Sequence, residues 1–327
     1  MGFSQGYGPA DDAESAASIR RAIELGVTML DTAMSYGQGH NERVVGQVLA
    51  GSGILADHVQ VATKFGIVRG EQGVHLDGRP EGVRSYCDAS LARLGRDVID
   101  LYYLHRVDPE VPIVETVGAM AELVHDGKVR QLGVSEVTVD QLEAAVSVHP
   151  IAAVQFEWSM LWREPELELV PAARRLGVGL VPYSPLGRGI LTAALGRDGI
   201  DSSEFRRVDP RFQGDNLTRN LAQVARLQQV AVSLGITPGQ LALAWLLAQG
   251  TDIVPIPGTR RVERIAENIA AGDVHLGPVD LQRLEQVVPP AGWAGDRRSF
   301  AVPATTRPSP EGSPADATAM TPYVETT

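Results

Sequence analysis

The chain has 327 residues, a formal net charge of −11 and a hydrophobic share of 44%, which suit a folded domain with a sizeable core and exclude a generally disordered chain. The acidic balance without a basic stripe argues against a nucleic-acid partner, and the lack of an apolar run of about 20 residues argues against a membrane helix. The single cysteine, Cys87, excludes an intramolecular disulfide. Because the N-terminus also lacks a secretory signal, we expect a cytoplasmic protein whose oligomeric state is left open.

Short apolar segments alternate with amphipathic segments along residues 12–271, which predicts parallel strands alternating with helices. The first helix is predicted over about residues 12–25, with Asp11 or Asp12 as its N-cap and Gly26 at its end. The strand-like segments are rich in Val, Ile and Leu, as buried parallel strands are, and occupy residues 27–33, 59–65, 100–106, 129–135, 152–158, 178–184 and 252–258. Further helices are predicted at residues 41–50, 81–95, 111–126, 138–148, 165–176, 219–234, 238–249 and 260–271.

Seven predicted strands are one fewer than a closed (β/α)8 barrel needs. Because residues 1–5 look like the end of a strand and the loop after it, we predict an α/β fold, a (β/α)8 TIM barrel whose first strand is absent or truncated at the N-terminus. An open doubly wound sheet is the competing architecture. The barrel is assigned to residues 1–301, and residues 302–327, rich in Pro, Ser, Thr and Ala, are predicted to be disordered. The long connection at residues 186–220 has a length typical of functional lids or of disordered segments.

Polar residues stand at the ends of the predicted strands, where the active sites of barrels gather. Asp31 ends the first strand-like segment and Tyr36 follows on its loop. Lys64 and His105 end the next two segments. Because successive barrel strands are neighbours, we expect these four side chains to converge on one point.

These four side chains suit the reduction of a carbonyl group. A tyrosine is protonated at neutral pH, so Tyr36 can give a proton to the oxygen that gains negative charge. A nearby ammonium such as that of Lys64 makes a phenol a stronger acid, and Asp31 can pair with the lysine and orient it. His105 can donate a second hydrogen bond to the substrate oxygen. A purely structural role for the four residues is the alternative.

Residues 257–268 follow the last strand-like segment and open a predicted helix, whose first N–H groups and dipole attract phosphate. Gly258 and Thr259 can approach an anion closely. Arginine matches the geometry of phosphate, and three arginines favour the extra phosphate of NADP over NAD: Arg260, Arg261 and Arg264. A solvated basic helix start is the alternative, in which Arg261 in particular faces solvent.

Seven segments of the chain resemble the successive signatures of the aldo-keto reductase family, in the family's order and over about residues 4–271. They are LDTAMSYGQGHNE, VATKFG, IDLYYLHR, VRQLGVSE, VQFEWS, VPYSPLGRGIL and IPGTRRVERIAENI. The resemblance implies an NADPH-dependent reductase of aldehydes or ketones, with Tyr36 as the acid of a tetrad completed by Asp31, Lys64 and His105.

The resemblance also implies contacts with the cofactor, NADPH or NADP. The 2′-phosphate would lie against Arg260 and Arg264, and the adenine against Asn268 and Glu267. The remaining contacts run from the nicotinamide to the pyrophosphate and belong to Tyr183, Ser135, Gln155, Ser184, Leu186 and Gly189. Many members have Asn after the serine of the fourth signature, whereas this chain has Glu136.

Other interpretations stay open at this point. Trp158 and Trp162 are candidate walls of a substrate pocket or packing residues of a loop, and Phe205 and Phe212 are candidate covers of the cofactor. Some proteins of this fold, the β-subunits of potassium channels, bind NADPH mainly as partner-binding sensors, so a non-catalytic NADPH-binding subunit is the alternative function. A metal-dependent hydrolase is disfavoured because the sequence has no His-x-His pair.

Overall fold

The computed structural model describes residues 1–8, 10–70, 73–195, 200–201 and 204–297. The predicted disordered segment, residues 302–327, lies outside the described residues. The strands, in chain order, are β1 (Met29–Asp31), β2 (Gln60–Phe65), β3 (Ile67–Gly70), β4 (Gly73–Leu76), β5 (Ile99–Leu104), β6 (Val129–Ser135), β7 (Ile151–Glu157) and β8 (Gly179–Tyr183).

The main sheet is parallel, and its order β1-β2-β5-β6-β7-β8 follows the chain. A doubly wound sheet reverses its strand order at a switch point, so consecutive order favours the barrel architecture over that alternative. β3 and β4 form a separate antiparallel hairpin inserted after β2, which the apolar pattern did not predict. The predicted α/β class and the parallel pairing of successive strands are confirmed.

The predicted seventh strand, residues 252–258, is wrong as a strand. It runs beside β8 through hydrogen bonds to Leu180 and Pro182, but forms only one isolated parallel bridge, at Ile253. The physical reason is that Pro255 and Pro257 have no N–H to donate to a ladder.

Ten helices surround the sheet in the part of the chain that the structure describes: α1 (Asp12–Glu24), α2 (His40–Gly51), α3 (Pro80–Leu94), α4 (Ile113–His125), α5 (Val139–Val148), α6 (Leu169–Leu176), α7 (Gly214–Ser233), α8 (Pro238–Leu247), α9 (Val262–Ala270) and α10 (Pro278–Val287). As predicted, Asp11 caps α1, and its carboxylate accepts a hydrogen bond from the Glu14 N–H at 2.9 Å. α7 begins five residues before its predicted start, and α10 was not predicted.

β1 lies at one edge of the sheet and the segment around Ile253 lies beside β8 at the other, and no strand pairing joins these two edges among the described residues, which leaves a seam. Among the described residues, none before β1 is in a strand; residues 2–8 form turns and bends. Outside the seam α1 packs against α9, and the Ser18 hydroxyl donates a 2.6 Å hydrogen bond to the Arg260 carbonyl. α1 and α9 therefore continue the outer layer of helices across the seam, where the strands are not paired.

No helix among the described residues is both long and apolar enough to span a membrane by itself. One pair, α7 and α8, meets the criteria of length and composition when taken together, with an 86° bend between the two helices.

Candidate active site

The strand ends place one layer of polar side chains above the apolar interior of the sheet. Side chains alternate along a strand, and a small apolar cluster occupies the face turned away from the helices: Ala62, Tyr103, Ala153 and Val181. Two residues further along the same segments come Lys64, His105, Gln155 and Tyr183. Asp31 pairs in register with Ala62. The period of two thus points these polar groups at one region.

Lys64 and Asp31 form a buried ion pair at the centre of this layer. The Lys64 side chain is 0% exposed, and its ammonium also donates to the Thr32 carbonyl at 2.7 Å. The second Asp31 oxygen accepts a 2.9 Å hydrogen bond from the Gln155 amide. Burial lowers the pKa of Lys64, but the charges and hydrogen bonds of Asp31 and Tyr36 raise it above its ordinary value. Lys64 is therefore a fixed cation at neutral pH.

Tyr36 lies between this cation and His105. Its hydroxyl is 3.5 Å from the Lys64 ammonium, which also lies 5.1 Å from the centre of the Tyr36 ring. The Tyr36 and His105 rings meet edge to face with centroids 5.7 Å apart. Burial, and then the charges of Arg106 and Lys64, lower the pKa of His105 well below its ordinary value. The imidazole is thus uncharged at neutral pH, and one ring nitrogen can donate to a substrate oxygen.

A cavity of about 870 Å³ opens over the four residues and runs to the start of α9. Lys64 lies beneath its surface, while the other three residues line it. It is also lined by most of the predicted cofactor residues, namely Gln155, Tyr183, Ser184, Leu186, Gly189, Gly258, Thr259, Arg260, Arg264, Glu267 and Asn268. One continuous space therefore joins the predicted catalytic group to the predicted phosphate site.

The phosphate end of the cavity has donors that fit the dinucleotide expected from the sequence. A Cβ built on Gly258 would meet nothing within 4 Å, so the backbone there is open to an incoming group. Arg260 reaches the Tyr7 carbonyl at 2.9 Å, and Arg264 pairs with Glu267 at 3.0 Å. Two guanidinium groups beside open backbone suit a phosphate.

The segment after β8 has a left-handed backbone on the wall of the cavity. Ser184, Gly187, Arg188 and Gly189 all have positive φ, between 51° and 94°. Left-handed residues are strained for side chains other than glycine, and such turns occur at ligand-binding loops. Turns of this kind can collect backbone N–H groups around an anion, which suits the predicted pyrophosphate path.

Three of the predicted residues lie elsewhere. Ser135 is 0% exposed, because the Arg106 side chain covers it and donates to its hydroxyl at 3.2 Å. Trp158 is 1% exposed, packs against Trp245 and donates to Glu166, so it belongs to the core and not to a pocket wall. Trp162 lies outside the cavity lining, beneath the Arg297 guanidinium at 5.5 Å from the ring centre.

The two phenylalanines of the connection before α7 lie in different environments. Phe205 lines the cavity and packs edge to face against Tyr7 at 5.0 Å, whereas Phe212 is buried in the main core. Arg261 is exposed at the rim, as the solvated alternative predicted.

The structure adds charged groups that the sequence reasoning missed. The buried charge cluster joins the end of β7 to the connection before α7 through four groups at least 97% buried: Glu157, Arg188, Asp209 and Arg211. Nearby, Glu136 pairs with Arg297, which also donates to the Tyr183 hydroxyl at 3.3 Å. Arg69 and Arg106 line the cavity beside His105. A signal existed only for Arg106, which directly follows His105 at a strand end.

The chain is similar to proteins of one family. The model of the "Aldo/keto reductase family" matches residues 1–289. A relative from Glycine max, "Probable aldo-keto reductase 1", is 43% identical over 299 residues, which cover 91% of this chain and 86% of the relative. The solved structure of a glycerol dehydrogenase from Gluconobacter oxydans matches with a TM-score of 0.80 at 28% identity, over 88% of this chain and 90% of that chain. An aldo-keto reductase from Klebsiella pneumoniae, solved in complex with NADPH, matches with a TM-score of 0.67 at 28% identity, over 88% of this chain and 89% of that chain.

Proposed function

The chain belongs to the aldo/keto reductase family, and on this premise we propose that it reduces an aldehyde or ketone to an alcohol with NADPH, Tyr36 being the proton donor. The bound nicotinamide cofactor supplies the hydride. The observation that carries the proposal is the position of the Tyr36 hydroxyl, at the cavity surface and 3.5 Å from the buried Lys64 ammonium.

Each of the four residues of the predicted catalytic group has a separate role in the reaction. As negative charge develops on the carbonyl oxygen, the proton of the Tyr36 hydroxyl moves to that oxygen and leaves a phenolate. The Lys64 cation stabilises the phenolate, and Asp31 holds the lysine in place through their ion pair. The uncharged His105 donates a hydrogen bond that orients the substrate oxygen.

The rest of the cavity positions the cofactor. We assign the 2′-phosphate to Arg260 and Arg264 and the adenine to Asn268 and Glu267. Tyr183 is assigned to the nicotinamide ring, since it shares the layer of Lys64 and lines the cavity. Preference for NADP over NAD follows from the two guanidinium groups at the far end of this path.

The test measures NADPH absorbance while the protein meets a panel of simple aldehydes and ketones. We expect NADPH oxidation by the unaltered chain and a loss of at least about 100-fold in kcat for Tyr36→Phe, the scale of general acid catalysis. Tyr86→Phe removes a hydroxyl bonded to Asp77, outside the cavity, and is the matched control.

NADPH binding, followed by fluorescence, separates the competing outcomes. Binding without oxidation of any panel compound would contradict the proposal and favour the non-catalytic NADPH-binding subunit. Equal turnover by Tyr36→Phe and the unaltered chain would contradict the role given to Tyr36.

A further inference from the structure

Two arginines project into the cavity beside the catalytic histidine. Arg69 lies on β3, the first strand of the hairpin inserted after β2, and Arg106 directly follows His105 after β5. Both line the cavity. Both also lower the pKa of His105, although burial has the larger effect, so their positive charges act on the end of the cavity that holds His105.

The Nε atom of each guanidinium is buried and makes no hydrogen bond within the described part of the chain. In Arg106, by contrast with Nε, the Nη1 atom does have acceptors: it donates to the His105 carbonyl at 2.6 Å and to the Ser135 hydroxyl. A buried N–H without an acceptor is costly, and that cost falls when a ligand supplies an oxygen.

The charge around the cavity is unbalanced at this point. Neighbouring cations have carboxylate partners: Lys64 pairs with Asp31, Arg297 with Glu136, and Arg188 and Arg211 with Glu157 and Asp209. Within the described ranges, Arg69 and Arg106 form no salt bridge. The charge of Arg106 also lowers the pKa of Glu136, but Glu136 forms its ion pair with Arg297. Two guanidinium groups without an ion-pair partner among the described residues therefore lie at the end of the cavity where the substrate reacts.

The phosphates of a dinucleotide do not account for this excess. The cofactor arginines, Arg260 and Arg264, follow the last strand-like segment at the start of α9, whereas Arg69 and Arg106 follow β2 and β5. The counter-charge expected beside His105 is an anionic group on the other reactant.

We propose that Arg69 and Arg106 form a subsite for a carboxylate of the substrate, so that the preferred carbonyl compounds are aldehydes or ketones that also carry an acid group. This inference rests on the proposed function, since it names the substrate class of the same site. A guanidinium binds a carboxylate through charge-assisted hydrogen bonds, and a dry cavity strengthens them.

The test compares 4-carboxybenzaldehyde with methyl 4-formylbenzoate, which share the ring and the aldehyde but differ in charge. We expect kcat/KM to be higher for the acid, and the acid-to-ester ratio to fall by about tenfold or more in Arg69→Met, the scale of one hydrogen bond to a charged group. Arg84→Met removes an exposed arginine that pairs with Asp126 on the outer surface, and controls for the change in net charge.

Benzoate binding gives a second readout that needs no turnover. We expect the calorimetric dissociation constant of benzoate, with NADP present, to rise in Arg69→Met and not in Arg84→Met. An unchanged acid-to-ester ratio together with unchanged benzoate binding would overturn the subsite. Equal losses with both aldehydes together with weaker NADPH binding would also overturn it, by assigning Arg69 to the cofactor.

Failure of the proposed function is distinguishable from failure of the subsite. If the unaltered chain oxidises NADPH with no compound of the aldehyde and ketone panel, these two aldehydes included, but binds benzoate in an Arg69-dependent way, the reductase proposal fails and the carboxylate subsite stands.

Discussion

Glu136, at the position where the sequence resemblance implies Asn in many family members, is held by a set of polar contacts. It follows Ser135 with a positive φ of 55°, and its carboxylate accepts a hydrogen bond from the Glu157 N–H at 3.0 Å. Burial acts to raise the pKa of Glu136, but the charge and hydrogen bonds of Arg297 outweigh it and lower the pKa to about 2. The carboxylate is thus held ionised in a place that would otherwise neutralise it.

The pH dependence of stability follows from this shift. Because the pKa of Glu136 is lower in the folded protein than its ordinary value of 4.5, its contribution to the free energy of unfolding is complete above about pH 4.5 and is lost as the pH falls toward 2. We predict that Glu136→Gln is less stable at pH 7 and loses less of its stability between pH 5 and pH 3.

Urea unfolding at pH 7, 5, 4 and 3 measures this difference. Glu110→Gln removes an exposed carboxylate and serves as the control, whose pH profile should follow that of the unaltered chain. If the free energy of unfolding changes with pH in the same way in Glu136→Gln and in the unaltered chain, the ion pair with Arg297 does not stabilise the folded protein.

At the scale of elements, local signals predicted most helices and strands but not their exact form. Caps, glycine stops and apolar periodicity located α1 to α9, and buried runs located β1, β2 and β5 to β8. The hairpin β3–β4 was missed although Gly70 and Gly73 flank its two-residue connection, because each strand has only four residues. α10 was missed because just one of its residues, Leu284, is buried.

Helix packing depends on positions where no side chain fits. Gly46 of α2 lies against the end of α3, and a Cβ there would meet the Leu94 carbonyl oxygen at 2.6 Å. Gly51 of the same helix has open space around its Cβ position.

We therefore predict opposite effects for the same substitution at these two glycines. Gly46→Ala should lower the free energy of unfolding by about 1–3 kcal/mol, since backbone atoms must move apart. Gly51→Ala should leave it unchanged or raise it by up to about 1 kcal/mol, through helix propensity. Urea or thermal unfolding measures both, and equal effects would show that α2 and α3 do not approach as closely as the structure has them.

At the scale of the whole molecule, the buried charge cluster ties the connection before α7 to the sheet. Glu157 at the end of β7 accepts hydrogen bonds from Arg211 at 2.7 Å and Arg188 at 3.0 Å, and Asp209 accepts from the same two arginines. Burial acts to raise the pKa of Glu157, but the two arginines lower it to about 2. Buried ion pairs, in addition to apolar packing, thus hold the wall of the cavity around Phe205 in place.

Removing one cation from this cluster should be costly. We predict that Arg211→Met lowers the free energy of unfolding by about 3–5 kcal/mol, because it leaves a buried carboxylate without its partner. Arg207→Met, at an exposed position of the same connection, should change it by less than about 0.5 kcal/mol. A loss below 1 kcal/mol in Arg211→Met, measured by urea unfolding, would mean that water replaces the missing guanidinium.

The sequence by itself determined the fold class and the membership of the polar layer. The (β/α)8 barrel architecture is confirmed by the parallel sheet and by the structural match to the glycerol dehydrogenase. Asp31, Tyr36, Lys64 and His105 were predictable as neighbours, because strand ends and a period of two are local properties of the chain. Their proposed chemical roles stay predictions until the Tyr36→Phe assay is made.

Only the tertiary structure decided which charges are paired and which aromatic residues are buried. Glu136 meets Arg297 across 161 positions, and Trp158 is taken into the core by Trp245. Arg69 reaches the cavity from a hairpin that the apolar pattern did not reveal. Contacts of this kind depend on the path of the whole chain, since periodicity tells which face of its element a side chain occupies but not which distant residue it contacts.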